Sequence, residues 1–156
     1  MRYFIDVEFN GLFGQLISLA LVREDGVSLS MFCDCPRPNE WVAEEVMPFV
    51  GKDPFAKKVA RESFGWEIAE FLSFDQMPHI IADWPDDIRH LMECLITGPG
   101  TMVNIRHLST EIVRVDSWPN DIEGAIQHNC WWDAMALRYR IIGKKDLPKN
   151  VTTRLQ

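Results

Sequence analysis

Asp6 and Glu8 stand two residues apart in "RYFIDVEF", a run that otherwise reads as a buried strand. Residues i and i+2 of a strand leave the same face, so the two carboxylates should emerge side by side. Like charges held that close repel unless a cation lies between them. Two more acidic positions follow downstream. One is the cluster closing "HIIADWPDD" (79–87), and the other is Asp133 in "HNCWWDAMAL", with His128 five residues earlier. Aspartate is a poor helix former and is rarely buried without a partner, yet Asp133 has Trp132, Ala134, Met135 and Leu137 around it. Singly, each feature has a plainer explanation: a surface strand for Asp6 and Glu8, a helix N-cap for Asp87, a core or capping role for His128. Together, four carboxylates from three segments can hold two divalent cations through oxygen, a donor set that suits Mg²⁺ or Mn²⁺. Two such ions about 3.5–4 Å apart stabilise the attacking and leaving oxygens of a phosphodiester. An imidazole beside them can take the proton of the attacking water.

These groups must be positioned by the elements between them. Apolar runs predict strands over about 2–8, 15–23 and 27–33, with Asp25-Gly26 as a hairpin turn between the last two. Helical spacing predicts a short helix over 40–50 stopping near Pro48, and a longer one over 53–73 that Gly65 could break in two. A short strand from 78 runs into the acids. A helix then starts with Asp87 as N-cap and runs over 87–97, until Gly98-Pro99-Gly100 ends it. A strand is expected over 101–108, a loop over 116–121, and a helix over 122–142 with a break near His128. The order predicts one α/β domain over 1–145: a mixed sheet of three antiparallel strands followed by parallel strands, with helices on both faces. Residues 146–156 read as a polar tail.

Composition narrows the class. The chain has 156 residues, 47% of them hydrophobic and 25% charged, which suits a single domain with one sizeable core. The net charge of −7 argues against a sequence-independent duplex binder, which needs a basic surface. It leaves a nuclease open, because bound metal reverses the local sign. No apolar run approaches the roughly 18 residues that span a bilayer. No signal peptide is expected, since Asp6 and Glu8 interrupt the first apolar stretch. Cys33, Cys35, Cys94 and Cys130 lack zinc-site spacing. Scattered, they predict reduced thiols and a cytoplasmic location.

The three acidic segments, in order, resemble the motifs of the DEDDh 3′–5′ exonucleases of the ribonuclease-H-like superfamily. "FIDVEFNG" resembles the first motif, "HIIADWPDDIRHL" the second and "HNCWWDAMAL" the third in its histidine form. The likeness covers residues 1–142 and is greatest to the small bacterial and phage exoribonuclease-like group. It implies a ribonuclease-H-like fold with Asp6, Glu8, Asp87 and Asp133 holding two divalent cations, and His128 as general base. It also implies that Phe9, Asn10 and Gly11 line the floor under the terminal nucleotide. Many members carry His-Asn before the second-motif aspartate, where this chain has Ala82-Asp83. Asp87 is the expected ligand from its offset, with Asp83 as the alternative or a supporting group.

Bases stack on aromatic rings. At least one of Phe9, Trp84, Trp131 and Trp132 should therefore contact a base, and Trp131 is the residue of the adjacent pair expected in the cleft. The implied partner is the 3′ end of single-stranded nucleic acid, RNA rather than DNA because basic residues near the motifs are few. The implied product is a nucleoside 5′-monophosphate. The family also implies a homodimer, and the apolar face of 53–73 could serve either a partner or the core. Two other functions fit the same residues: an inactive nucleic-acid- or protein-binding module, and a metal-dependent nucleotide phosphohydrolase.

Overall fold

The first strand, β1 (Arg2–Phe9), lies inside the sheet and organises it. On one side it pairs antiparallel with β2 (Leu16–Arg23), which pairs antiparallel with β3 (Ser28–Phe32). On the other it pairs in parallel with β5 (His79–Ala82), which pairs in parallel with β8 (Ser109–Ile112). A short strand, β4 (Ala56–Lys58), adds in parallel to β3, giving the order β4-β3-β2-β1-β5-β8. The computed structural model that shows this describes residues 1–116 and 118–143. The tail expected over 146–156 lies outside the described residues. The fold is mixed α/β. Among the described residues no helix is long and apolar enough to cross a membrane.

Alternation along β1 divides the core in two. Tyr3, Ile5 and Val7, with Leu19, Leu21 and Ile80, pack under α2 (Phe64–Leu72) and α3 (Pro85–Leu95). The opposite face presents Ala20 and Val22 to Trp131, Trp132, Met135 and Tyr139 of α4 (Cys130–Ile142). Phe4 and Ile81 meet Leu137 on the same side. Helices therefore cover both faces, as expected for a sheet with parallel strands. Arg138 of α4 is fully buried and donates through Nε to the Glu24 carbonyl oxygen at 3.0 Å, fixing the helix to the β2–β3 turn. The remaining helix, α1 (Glu40–Glu45), lays Val42 over Ile17, and Val46 just beyond it adds to that contact.

Three stretches differ from expectation. The single helix predicted over 53–73 is instead β4, a 3-10 turn at Arg61–Ser63 and α2. The open edge of β3 recruits Ala56–Lys58 through backbone pairing, which helical periodicity does not report. The strand predicted over 101–108 is a two-residue strand, β7 (Thr101–Met102), paired with β6 (Ile96–Gly98) in a separate hairpin. The sheet strand follows as β8, whose residues are all exposed and so lack a hydrophobic signature. The helix predicted over 122–142 starts only at Cys130. His128 takes φ +57, which ends helical propagation immediately upstream.

Gly65 does not break its helix; it lies in the first turn of α2 where α3 passes closest. A Cβ there would run into the Cys94 carbonyl oxygen, with Val103 Cγ1 at 3.2 Å. Alanine normally favours a helix over glycine by about 1 kcal/mol. Here Gly65→Ala should destabilise by about 1–3 kcal/mol through overpacking. Urea unfolding reads the sign, and a variant as stable as wild type would mean that α2 and α3 can part freely.

Candidate metal centre

β5 pairs with β1 only through Phe4 and ends at Ala82. Asp6, two residues beyond that last paired residue, therefore faces an opening at the carboxyl ends of two parallel strands. Ligand sites in open α/β sheets form in such crevices. Asp6 lies opposite Ala20 and Glu8 opposite Ser18 on β2. Small residues at both cross-strand positions leave the carboxyl groups room.

The second segment enters directly after β5. Asp83 follows the last strand residue, Trp84 is extended, and Pro85 opens α3 at a position where its missing N–H is harmless. Asp87 is consequently not the N-cap but a first-turn residue. It is only 2% exposed, and its Oδ1 accepts the Val7 N–H at 3.3 Å. Its Oδ2 is buried with no hydrogen-bond partner. The third segment is set by Asn129, which caps α4 by accepting the Trp132 N–H and donates from Nδ2 to the Phe49 carbonyl at 2.9 Å. That cap places Asp133 in the first turn of α4, and His128 precedes it in the left-handed conformation.

These side chains line one open cleft of about 330 Å³, together with Phe9, Trp84, Arg114 and Trp118. Two carboxylate triads form within it: Asp6, Asp83 and Asp87, and Asp6, Glu8 and Asp133. In each, one oxygen per residue lies within 4.8 Å of the others. Asp6 belongs to both. Both candidates at the second motif thus reach the cleft. Among the described residues no salt bridge reaches Asp6, Glu8, Asp87 or Asp133. The all-oxygen donor set and the orphaned Asp87 oxygen both fit divalent hard cations.

Crowding and burial make these carboxyl groups hard to ionise. Burial, then the charges of Asp87, Asp133, Glu8 and Asp83, push the Asp6 carboxyl well above its usual range. Burial, then Asp133 and Asp87, push Glu8 up to about 8. Burial is also the main cause for Asp133, pushed up to about 7, and for Asp87, where the charge of Asp83 adds to it.

Other expected site residues lie elsewhere. Trp131 is 0% exposed, with its ring 4.6 Å from Trp132 and 5.2 Å from Phe55. The expectation that it faces substrate is corrected: adjacent residues on a helix are about 100° apart and do not alternate as in a strand. α4 is buried around most of its first turns, and both indoles go inside. Asn10 accepts the Asn39 N–H at 2.8 Å and donates to the Arg37 carbonyl at 3.0 Å. Gly11 has φ +73, and a Cβ there would stand 2.5 Å from Asn39 Nδ2. Asn10 and Gly11 clamp the β1–β2 turn against the 37–39 loop and do not line the cleft. Phe9 does line it, with its ring 5.0 Å from that of His90.

Sequence reasoning missed Arg114 and Trp118, which reach the cleft from the segment after β8. Val113 and Val115 on either side of Arg114 pack against the Phe4, Ile81 and Leu137 cluster, so the one available signal was an arginine alternating with apolar residues. It also missed Trp41, which meets the His128 ring edge-on at 5.3 Å, as Trp118 does at 6.3 Å. No family model matches the chain, and no curated protein matches it.

The raised carboxyls set a pH dependence. Between the ordinary carboxyl range and about pH 8, the folded cleft holds protons that the unfolded chain releases. Stability without divalent cations must therefore fall as pH rises through that window. In EDTA the melting temperature should be lower at pH 8 than at pH 5.5. Asp6→Asn should raise it at pH 8 by roughly 3 °C or more, the shift for about 1 kcal/mol in a domain of this size. Calorimetry across pH checks both, and a profile rising with pH would contradict the electrostatic picture.

Proposed function

We propose that this chain is a metal-dependent 3′–5′ exonuclease of ribonuclease-H-like fold, related to the DEDDh exonucleases. It removes nucleoside 5′-monophosphates from single-stranded ends, RNA in preference to DNA. The observation that carries the reading is the pair of carboxylate triads sharing Asp6, with His128 in the same cleft. Asp6, Asp83 and Asp87 would hold one cation, and Asp6, Glu8 and Asp133 the other. Bound there, two divalent cations supply charge stabilisation to the attacking and leaving oxygens of a phosphodiester.

The chain's own residues do the rest. His128 lines the cleft, and its imidazole can accept the proton of the attacking water. Trp41 and Trp118 meet that ring edge-on and restrict its rotation. The water oxygen bonds to phosphorus, the P–O3′ bond breaks, and the leaving O3′ takes a proton from solvent, so the shortened strand keeps a 3′-hydroxyl. The carboxylates come from a strand end and two helix starts, elements rigid enough to hold reacting atoms in register. The four free cysteines support a cytoplasmic setting for the activity.

The test is degradation of 3′-labelled and 5′-labelled RNA and DNA oligonucleotides with Mg²⁺, Mn²⁺ or EDTA. Laddering from the 3′ end should require the cation, and Asp6→Ala should lower the rate by about 100-fold or more. His128→Ala should reduce kcat by about 100-fold or more while keeping the rise in melting temperature that Mn²⁺ confers by binding the native state. Activity in EDTA, or activity surviving Asp6→Ala, would reject the mechanism. Hydrolysis of free nucleotides in place of oligonucleotides would identify a phosphohydrolase instead.

A further inference from the structure

The cleft has a floor that repels polyanions and a rim that attracts planar groups. Asp6, Glu8, Asp83, Asp87, Asp116 and Asp133 contribute carboxylates to its lining, and Arg114 is the one lysine or arginine among the lining residues described. Even with two divalent cations bound, such a site has little net charge with which to hold a phosphate backbone. Attraction must come from another source.

Two tryptophans stand at the mouth. Trp84 is 51% exposed and Trp118 is 59% exposed, values high for side chains this large and apolar. Neither is loose. Trp84 Nε1 donates to Asp86 Oδ2 at 3.1 Å, and the Arg114 guanidinium lies 5.8 Å from its ring centroid. Trp118 meets the His128 ring edge-on and leaves indole surface open to the cleft. The two come from different segments, Trp84 from the start of α3 and Trp118 from the chain after β8. Arg114 is exposed, and among the described residues it forms no salt bridge.

We propose that Trp84, Arg114 and Trp118 form a stacking rim that grips unpaired bases at the end of a single strand and so sets the substrate class of the cleft. This rests on the nuclease reading above. Every base has a π face, so the grip is indifferent to sequence. Bases inside a duplex have their faces covered by neighbours, so a blunt end offers the rim little. The Arg114 guanidinium, already over one indole, adds a cation–π face and one phosphate contact.

The test is binding, read by fluorescence anisotropy with 5′-labelled, phosphorothioate-protected oligonucleotides in Mg²⁺. Wild type should prefer a single strand to a blunt duplex. Trp118→Ala and Trp84→Ala should each weaken single-strand binding by about 5- to 100-fold, with melting temperatures confirming that they fold. Trp118→Phe should hold affinity to within a few-fold. Strands with abasic 3′-terminal positions should lose the same affinity on wild type and little more on Trp118→Ala. That non-additivity would not arise if the indole served structure alone. Arg114→Ala should flatten the salt dependence by about 0.7 in the log–log slope. Equal affinity for duplex and single strand, tryptophan variants that bind like wild type, or abasic ends that bind like intact ones would each overturn the rim. A wild type that grips unpaired ends and cleaves nothing would sink the nuclease reading and leave the rim standing.

Discussion

Repulsion among crowded, partly buried carboxylates is the constraint to which the rest of the fold answers. Asp6, Glu8, Asp83, Asp87 and Asp133 converge on one cleft, and in a medium less polar than water each is costly to ionise beside the others. A flexible scaffold would relieve that by letting the groups drift apart. This one does not allow drift. Asp6 and Glu8 are fixed by ladder pairing to β2 on one side of β1, and Asp87 is tied to the Val7 N–H. Asp87 and Asp133 also occupy the first turns of α3 and α4. The N-terminal end of a helix carries partial positive charge, which favours an anion there. Two helix starts aimed at one cleft offset part of the repulsion by fixed dipoles, with no mobile counter-ion required.

The same arrangement explains how much of the site could be read from the chain. Asp6 and Glu8 were legible because strand periodicity is local: a two-residue spacing has one geometric meaning. Their distant partners were legible by contrast with their surroundings, an acidic cluster where a strand gives way to a helix and a lone aspartate among apolar helix residues. The choice between Asp83 and Asp87 was not legible from spacing. It depends on where β5 ends relative to β1, a long-range fact, and the cleft admits both. Trp131 shows the opposite failure. Its neighbours in sequence suggested an alternating surface, whereas α4 is enclosed by the sheet on one side and by Ile122, Ala125 and Ile126 on another. Burial on several sides leaves no periodic trace, so nothing local distinguished a core indole from one at a cleft.

The two strands of the main sheet that were misread share a cause. β4 and β8 are edge strands, defined by backbone pairing to β3 and β5 rather than by buried side chains. Their residues include Lys57, Lys58 and Glu111, exposed and charged. Charged residues on an edge discourage pairing with another chain, and the same residues erase the hydrophobic alternation by which a strand is recognised. The interior strands β1 and β2 read clearly because their two faces serve separate cores.

That double service restricts how β1 can change over evolution. One inserted or deleted residue between Tyr3 and Glu8 would exchange its faces. Ile5 and Val7 would enter the acidic cleft, and two carboxylates would enter the apolar layer beneath α2 and α3. Fold and chemistry would be lost in one step, with no intermediate for selection to retain. The turn that follows is under a weaker constraint, since Leu12 and Phe13 are exposed between the clamped Gly11 and Gly14. Length variation among descendants of this chain should therefore collect at the β1–β2 turn and be excluded from the strand before it.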